Sequence, residues 1–571
     1  MFLGLDLSTQ QLKGVVIDVK LKLRSETVVS FDTDLPHYET TKGAYVKGKQ
    51  VLSPVAMWVE ALDLLLQRMV KDNVPLAQIQ GISGSGQQHG SIYWSNQAEK
   101  LLAELSSEQS LKAQLCPDAF SYDLSPNWQD ASTQTECDEI EQCVGGADRL
   151  AELTGSKAHH RFTGPQILRL RKHNQAVYDQ SSRISLVSSF LCSLFLGRVA
   201  PIDPADICGG NFWDIKNERY VEDVMALVSG GNGRGLEQKL GKVCMDGSAR
   251  LGPVARYFRE KYGFAPDCQV MPFTGDNPAT ILALPLLNKD AMISLGTSTT
   301  MLLSTPEYVP SSAYHLFAHP TTPGFHMAML CYKNGSLARE YVRNDVNLEK
   351  GNVDREDWTH FNDLSSGTKP PSANDEFRRL AFYFPLPEII PQTEAGYWRF
   401  VVDRQGQPKI HDKNEANPQS KIWTLPRDDA RAILESQFLD IRMRSQPFFN
   451  PEVANYNDLS KQASRIYCVG GASQNPAIIH VAEQVLGGED GIYRQLMGAS
   501  NACALGGANK AAWAMLKKPT ETFEEFVSHH WIETESIAKI GTGYQEGVWE
   551  EYGKMLEPLK IAEDMIVSGA V

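Results

Sequence analysis

The sequence predicts an α/β fold built as two similar halves. Three observations carry this expectation. Strand patterns alternate with helical ones through the first half of the chain, as in α/β architectures. A hairpin pattern with a Ser-Thr tip occurs at 2–19 and again at 291–304. The chain has 571 residues, enough for two large domains with substantial cores.

The elements read as follows. Phe2 to Asp6 and Gly14 to Val19 are apolar and β-branched around a polar STQQ tip, which predicts a hairpin. Residues 53–73 have helical periodicity, with Ser53 as N-cap and Pro54 in the first turn. IQGISGSG (79–86) reads as a strand running into a Gly/Ser loop, and Asp130 as the cap of a helix through Ile140. Residues 184–197 read as a buried helix and CQVMPF (268–273) as a strand. Asp276 then enters a helix over 277–287. AMISLGTSTTMLLS (291–304) restarts the hairpin pattern: Leu5 aligns with Leu295, Asp6 with Gly296, and Ser8-Thr9 with Ser298-Thr299. The repeat indicates two similarly built domains facing one another, over 1–287 and 288–571. Two hairpins that merely share Ser-Thr turns are the plainer alternative. Residues 402–421 read as a surface hairpin or insert, and Gly543 to Ile566 as one long closing helix.

Composition narrows the function. Hydrophobic residues make up 42% and charged residues 22%, which excludes a disordered or collagen-like chain. The formal charge of −14 removes an overall nucleic-acid footprint but leaves room for a local anion pocket. Ten cysteines without CxxC spacing point to a reducing compartment, with Cys208, Cys331, Cys468 and Cys503 as small buried residues. The apolar stretch around Phe190 to Gly197 is too short to span a membrane. A strand pattern within three residues of Met1 leaves no room for a signal peptide, and the terminal SGAV matches no retention or peroxisomal signal. The expected location is cytoplasmic.

Several segments carry chemistry. The tip of GLDLSTQQLKG (4–14) offers backbone N–H groups, the hydroxyls of Ser8 and Thr9, and Lys13, a set suited to phosphate; Asp6 offers an oxygen ligand for Mg²⁺. An ordinary edge hairpin is the plain alternative. In LGTSTT (295–300), Gly296 allows close backbone approach, and Thr297 and Ser298 supply donors. Two such turns suit the two ends of one polyphosphate. Asp276 in FTGDNPAT (273–280) reads as a helix cap and equally as a general base. GISGSGQQHGSIYW (81–94) lacks the third glycine of a dinucleotide fingerprint; its Gln87, Gln88 and His89 suit a polyol, with a structural role for His89 as the alternative. Arg161 in HHRFTG (159–164) packs, pairs or binds. In CVGGASQN (468–475), Gly471 permits approach of a flat ring and Asn475 a bond to base or ribose; a plain strand-to-helix turn is the alternative. No GxxxxGK[ST] segment exists, which argues against a P-loop nucleotide site.

Taken in order, GLDLSTQQLKG, GISGSGQQHGSIYW, SPNWQDAST (125–133), ELTGSKAHHRFTGPQI (152–167), FTGDNPAT, SLGTST, CYKNGSLARE (331–340) and CVGGASQN resemble the FGGY carbohydrate kinases. The resemblance runs from residue 4 to about residue 510. It implies two ribonuclease H-like domains of the actin/hexokinase type around a central cleft. It also implies ATP-dependent phosphorylation of D-xylulose at its 5-hydroxyl. By resemblance, Asp276 is the catalytic base, and Gln88, His89, Arg161 and Asn277 join it on the sugar. Asp6 sits at Mg²⁺. Ser8, Thr9, Lys13, Gly296, Thr297 and Ser298 serve the ATP phosphates. Gly470, Gly471, Ala472 and Asn475 serve the adenosine, with Trp358 packed on the adenine. Many relatives have glycine where Ser8 stands. The expected partners are the sugar and ATP, with no nucleic acid or membrane, and the expected state is a monomer. The alternatives are another kinase of this family, acting on L-ribulose, sedoheptulose or a polyol, and an actin-like nucleotide-gated binding protein.

Overall fold

In the computed structural model the described residues are 1–284, 286–351, 354–372, 375–411, 422–496 and 501–571. The chain divides into two compact units. The first comprises Met1–Leu286, Pro310–Met327 and Ser500–Trp531; the second comprises Leu287–Val309, Ala328–Ala499 and Ile532–Val571.

The first unit is organised by the strands Phe2–Leu7 and Gln11–Ile17, antiparallel with Asp6 opposite Lys13. Leu23–Ser30 extends the sheet on one side, and Gly81–Gly86 pairs parallel to Phe2–Leu7 on the other. Gln269–Val270 continues beyond Gly81–Gly86. The helix Val55–Lys71 buries Trp58, Leu62, Leu65, Leu66 and Met69. This spacing is one face of a 3.6-residue period. The opposite cover is the helix Ala502–Leu516, rich in Ala and Gly. A Cβ on Gly4 would stand 1.9 Å from the Ala504 carbonyl oxygen, and one on Gly507 would stand 2.6 Å from Gly84 Cα. Glycine on both surfaces lets helix and sheet backbones meet.

The second unit repeats the plan. Ala291–Leu295 and Thr299–Thr305 form a hairpin, and Arg465–Val469 pairs parallel to its first strand. Gly491–Gln495 follows on that side, and His326–Tyr332 flanks Thr299–Thr305. In both sheets, therefore, a further strand lies beside the second strand of the hairpin, and two parallel strands from beyond a crossover lie beside the first. The half-length repeat seen in the sequence is a repeat of strand order.

Some boundaries differ from expectation. Ser53 does not cap the 55–71 helix; it lies in the strand Gln50–Pro54, and its hydroxyl donates to the Gly43 carbonyl. Asp130 caps no helix either. Its carboxylate accepts from the Val51 and Ser132 amides and from Gln166, so the helix starts later, at Gln134–Val144. The buried helix is Val187–Leu196, because Arg183–Leu186 pairs as a strand with Ser91–Trp94. The helix after Asp276 is one short turn, Asp276–Thr280, followed by a 3₁₀ turn Ile281–Ala283. Leu284 precedes a proline in the sequence and is extended, as that position favours. The closing helix is two, Val548–Gly553 and Leu556–Val567. Pro558 lacks an N–H and its ring would clash with the carbonyl four residues back, at Lys554. Of the cysteines expected to be buried, Cys331 and Cys503 are half-buried. Gly396–Val402 and Pro408–Ile410 pair as a hairpin; residues 412–421 of the expected insert lie outside the described residues.

Candidate functional site

In the first unit the candidate residues gather at the ends of its central strands. Asp6 is buried, and the Ser85 hydroxyl donates to its Oδ1 at 2.8 Å. Burial, aided by the nearby Asp276 carboxylate and opposed by Ser85 and Lys13, pushes its carboxyl up to about 7. A carboxylate so displaced is one that a divalent cation would return to its ionised form, so Asp6 fits Mg²⁺. Among the described residues no cluster of three His, Cys, Asp or Glu is arranged for a metal. Lys13 Nζ donates to Asn501 Oδ1 at 2.5 Å and lies 3.7 Å from Glu26, whose carboxylate also accepts from Asn501 Nδ2 at 2.6 Å.

The hairpin tip is braced from outside. Ser8 donates its amide and hydroxyl to the Gln11 carbonyl, both at 3.0 Å. Thr9 Oγ1 donates to Gln87 Oε1 at 3.3 Å and accepts from Trp128 Nε1 at 2.8 Å. Trp128 is nearly half exposed, and sequence reasoning assigned it no role although it stands in SPNWQDAST.

Asp276 is the first residue of its short helix, and Gly275 takes the cap position. Its Oδ1 accepts from the Asn277 amide at 2.8 Å and from Asn277 Nδ2 at 3.2 Å, while that Nδ2 also donates to Gln88 Oε1 at 3.0 Å. Removal from water pushes the Asp276 carboxyl up to about 6, with backbone amides and the Arg161 charge holding it down. That is the range in which a carboxylate takes a proton well near neutral pH.

His89 sits at φ +76°, an uncommon conformation for a bulky residue. Its Nδ1 is 3.2 Å from the Gly209 carbonyl, and its ring stacks on Phe162 at 4.4 Å. Burial and the Arg161 charge pull it well below the ordinary histidine value. A carbonyl can only accept, so the neutral ring carries its proton on Nδ1 and presents Nε2 as an acceptor. The Arg161 guanidinium lies 5.5 Å from the Phe162 ring centre. Gln88, His89, Arg161, Asp276 and Asn277 thus supply donors, acceptors and a carboxylate in one unit.

In the second unit a cavity of about 600 Å³ is lined by Gly296, Thr297, Trp358, Gly471, Ala472 and Asn475. Ser298 and Gly470 are chain neighbours of these lining residues. The tip of the second hairpin is fixed by helix Ser336–Glu349: the Gly335 and Ser336 amides donate to the carbonyls of Thr297 and Gly296 at 3.0 and 2.9 Å. Thr297 and Ser298 remain exposed. Asn475 caps helix Pro476–Leu486, accepting from Ala477 and Ile478, and its Nδ2 donates to Asn362 Oδ1 at 2.8 Å. Asn475 therefore holds the cavity wall as well as facing it. The wall also includes Glu340 and Gln474, which stand in CYKNGSLARE and CVGGASQN without an assigned role, and Asn362, for which the sequence offered no signal. Arg343 stands 4.7 Å from the Trp358 ring centre.

Residues 291–515 match the C-terminal domain of the FGGY family of carbohydrate kinases. The chain is 48% identical to the probable D-xylulose kinase A of Aspergillus fumigatus, over 99% of this chain and 98% of that one. It is 49% identical to D-xylulose kinase A of Aspergillus niger, over 98% of this chain and 96% of that one. Its fold resembles the solved xylulose kinase of Rhodospirillum rubrum, with a TM-score of 0.74 and 14% identity over 100% of this chain and 99% of that one.

Proposed function

The chain belongs to the FGGY family of carbohydrate kinases, and from that premise we propose that it transfers the γ-phosphoryl group of ATP to the 5-hydroxyl of D-xylulose. The observation that carries the chemistry is Asp276, a carboxylate pushed up to about 6 amid His89, Arg161, Gln88 and Asn277. D-xylulose rests on the names of the Aspergillus relatives, which match this chain over nearly all its length.

In this reading Asp276 accepts the hydroxyl proton as the oxygen attacks phosphorus. Asn277 fixes the carboxylate through two bonds to Oδ1. His89 Nε2 accepts from a sugar hydroxyl, and Arg161 donates to a sugar oxygen. A wrong sugar leaves such buried groups unpaired, which is how they discriminate. Thr9, Lys13 and the exposed Thr297 and Ser298 serve the phosphates. Trp358, Gly471, Ala472 and Asn475 receive the adenosine in the second unit's cavity. Asp6 holds Mg²⁺ directly or through water; the ion, when bound, neutralises phosphate charge. Phosphoryl transfer asks the protein mainly for positioning and electrostatics, and these residues supply both.

The test is ADP release with MgATP across D-xylulose, L-ribulose, D-ribulose, sedoheptulose and glycerol. Strong turnover on D-xylulose alone is expected. Preference for another sugar overturns the substrate but keeps the reaction. ATP binding without turnover on any sugar overturns both.

A further inference from the structure

Arg161 is held by a residue 154 positions away in the sequence. Its Nη2 lies 3.0 Å from His315 Nε2, and His315 Nδ1 lies 2.9 Å from Ser156 Oγ. All three residues belong to the first unit, because Pro310–Met327 returns to it from the second half of the sequence. A guanidinium can only donate, so His315 Nε2 bears a lone pair. The ring is then neutral with its proton on Nδ1, which donates to Ser156. Burial, followed by the charges of Arg161 and Lys157, pulls His315 well below the ordinary histidine value and favours this form. Ser156 is fully buried and His315 nearly so.

The backbone enforces this contact. Gly155 has φ +76°, and the Leu316 amide donates to its carbonyl at 2.8 Å. A Cβ on Gly155 would stand 1.8 Å from the Leu316 carbonyl oxygen. Only glycine allows strand His315–Ala318 to lie so close to the segment carrying Ser156 and Arg161. At the segment's far end the His160 carbonyl accepts from Thr133 and Gln166, at 2.6 and 2.9 Å. The rings complete the support: Phe162 lies between His89 and His315, at 4.4 and 5.5 Å, and Phe317 stacks on His315 at 5.6 Å.

We propose that His315 is a positioning residue for sugar recognition, orienting the Arg161 guanidinium through Nε2 while Ser156 fixes its tautomer through Nδ1. The inference rests on the reading of Arg161 as a sugar contact. His315 itself touches no reacting atom; it sets the direction in which the Arg161 guanidinium points. Its loss therefore weakens sugar binding and leaves the chemical step and ATP binding largely intact.

Five variants test this. His315→Phe keeps a ring and removes the acceptor; the KM for D-xylulose rises about tenfold, with kcat and the KM for ATP within about threefold. In His315→Gln the amide oxygen replaces Nε2, and the sugar KM returns to within about threefold of the native value. His315→Asn reaches only the Nδ1 position, so its sugar KM stays high. Arg161→Met raises the sugar KM at least as far as His315→Phe, and the double variant Arg161→Met/His315→Phe raises it no further. Thermal melts accompany the kinetics; if His315→Phe does not fold, the contrast between Gln and Asn decides. Equal KM values for Gln and Asn, or an unchanged KM in His315→Phe beside a raised one in Arg161→Met, overturn the inference alone. An unchanged KM in Arg161→Met overturns the reading of Arg161 and the inference with it.

Discussion

On the proposed reading Asp276 is the base, a base must be ionised before it can take a proton, and a carboxyl pushed up to about 6 then sets the acid side of the rate profile. We expect kcat/KM for the sugar to fall as pH drops through about 6. Asp276→Ala should lower turnover by about 10²–10⁴-fold with ATP affinity nearly unchanged; near-native turnover in a steady-state assay would remove Asp276 as the base. Asp206 shows the opposite use of a raised carboxyl. It is fully buried against the Ser188 hydroxyl at 2.5 Å, and burial pushes it up to about 8. Its folded value lies above its unfolded one. The stability it contributes is therefore complete below the ordinary carboxylate range and is lost as pH rises through about 8. Urea midpoints at pH 5 and pH 8 should differ less in Asp206→Asn than in the native protein; an equal difference would remove Asp206 as a source of the pH dependence. Asp276 and His89 were legible as candidates because each sits in a local motif at a strand end. His315 and Asn501 were not. Their partners Arg161 and Lys13 lie 154 and 488 residues away, and only the fold brings them together.

At the scale of elements, the hairpins were legible because period-two patterning and a polar tip are local signals. Helix starts were less so. Asp130 has the chemistry of a cap, but tertiary partners at Val51 and Gln166 claim its carboxylate. The helix Ala502–Leu516 was not singled out, since its Ala/Gly surface acquires meaning only against the glycines of the sheet. Gly4→Ala should cost about 2–4 kcal/mol, because its Cβ meets backbone at 1.9 Å. Gly48→Ala, with φ +61° and open space around it, should cost about 1 kcal/mol. Comparable urea midpoints for the two variants would contradict the close approach of helix and sheet. Asn475 performs two tasks that substitution separates. Asn475→Ala should lower stability by about 1 kcal/mol and raise the KM for ATP. Asn475→Ser restores the cap and the stability but not the bond to Asn362, so the KM for ATP stays raised. Recovery of both together would show that Asn475 acts on the nucleotide only through its helix.

At the scale of the molecule, the repeat of hairpins was visible in sequence and returns as a repeat of strand order. The allocation of chain to units was not visible, because Pro310–Met327 and Ser500–Trp531 carry no local sign that they return to the first unit. A fragment ending at Leu286 lacks both His315 and the helix Ala502–Leu516. It should show no cooperative urea transition by circular dichroism; a sharp transition would mean that the first unit folds without its later segments.

The same interleaving sets a clock on biosynthesis. The sheet beginning at Phe2 leaves the ribosome early, yet the helix covering its glycine face ends at Leu516. At ~5–20 residues per second, the roughly 230 residues between Leu286 and Leu516 take about ten to fifty seconds to translate. For that interval the nascent sheet presents an uncovered face, and chaperones have their longest opportunity to engage it.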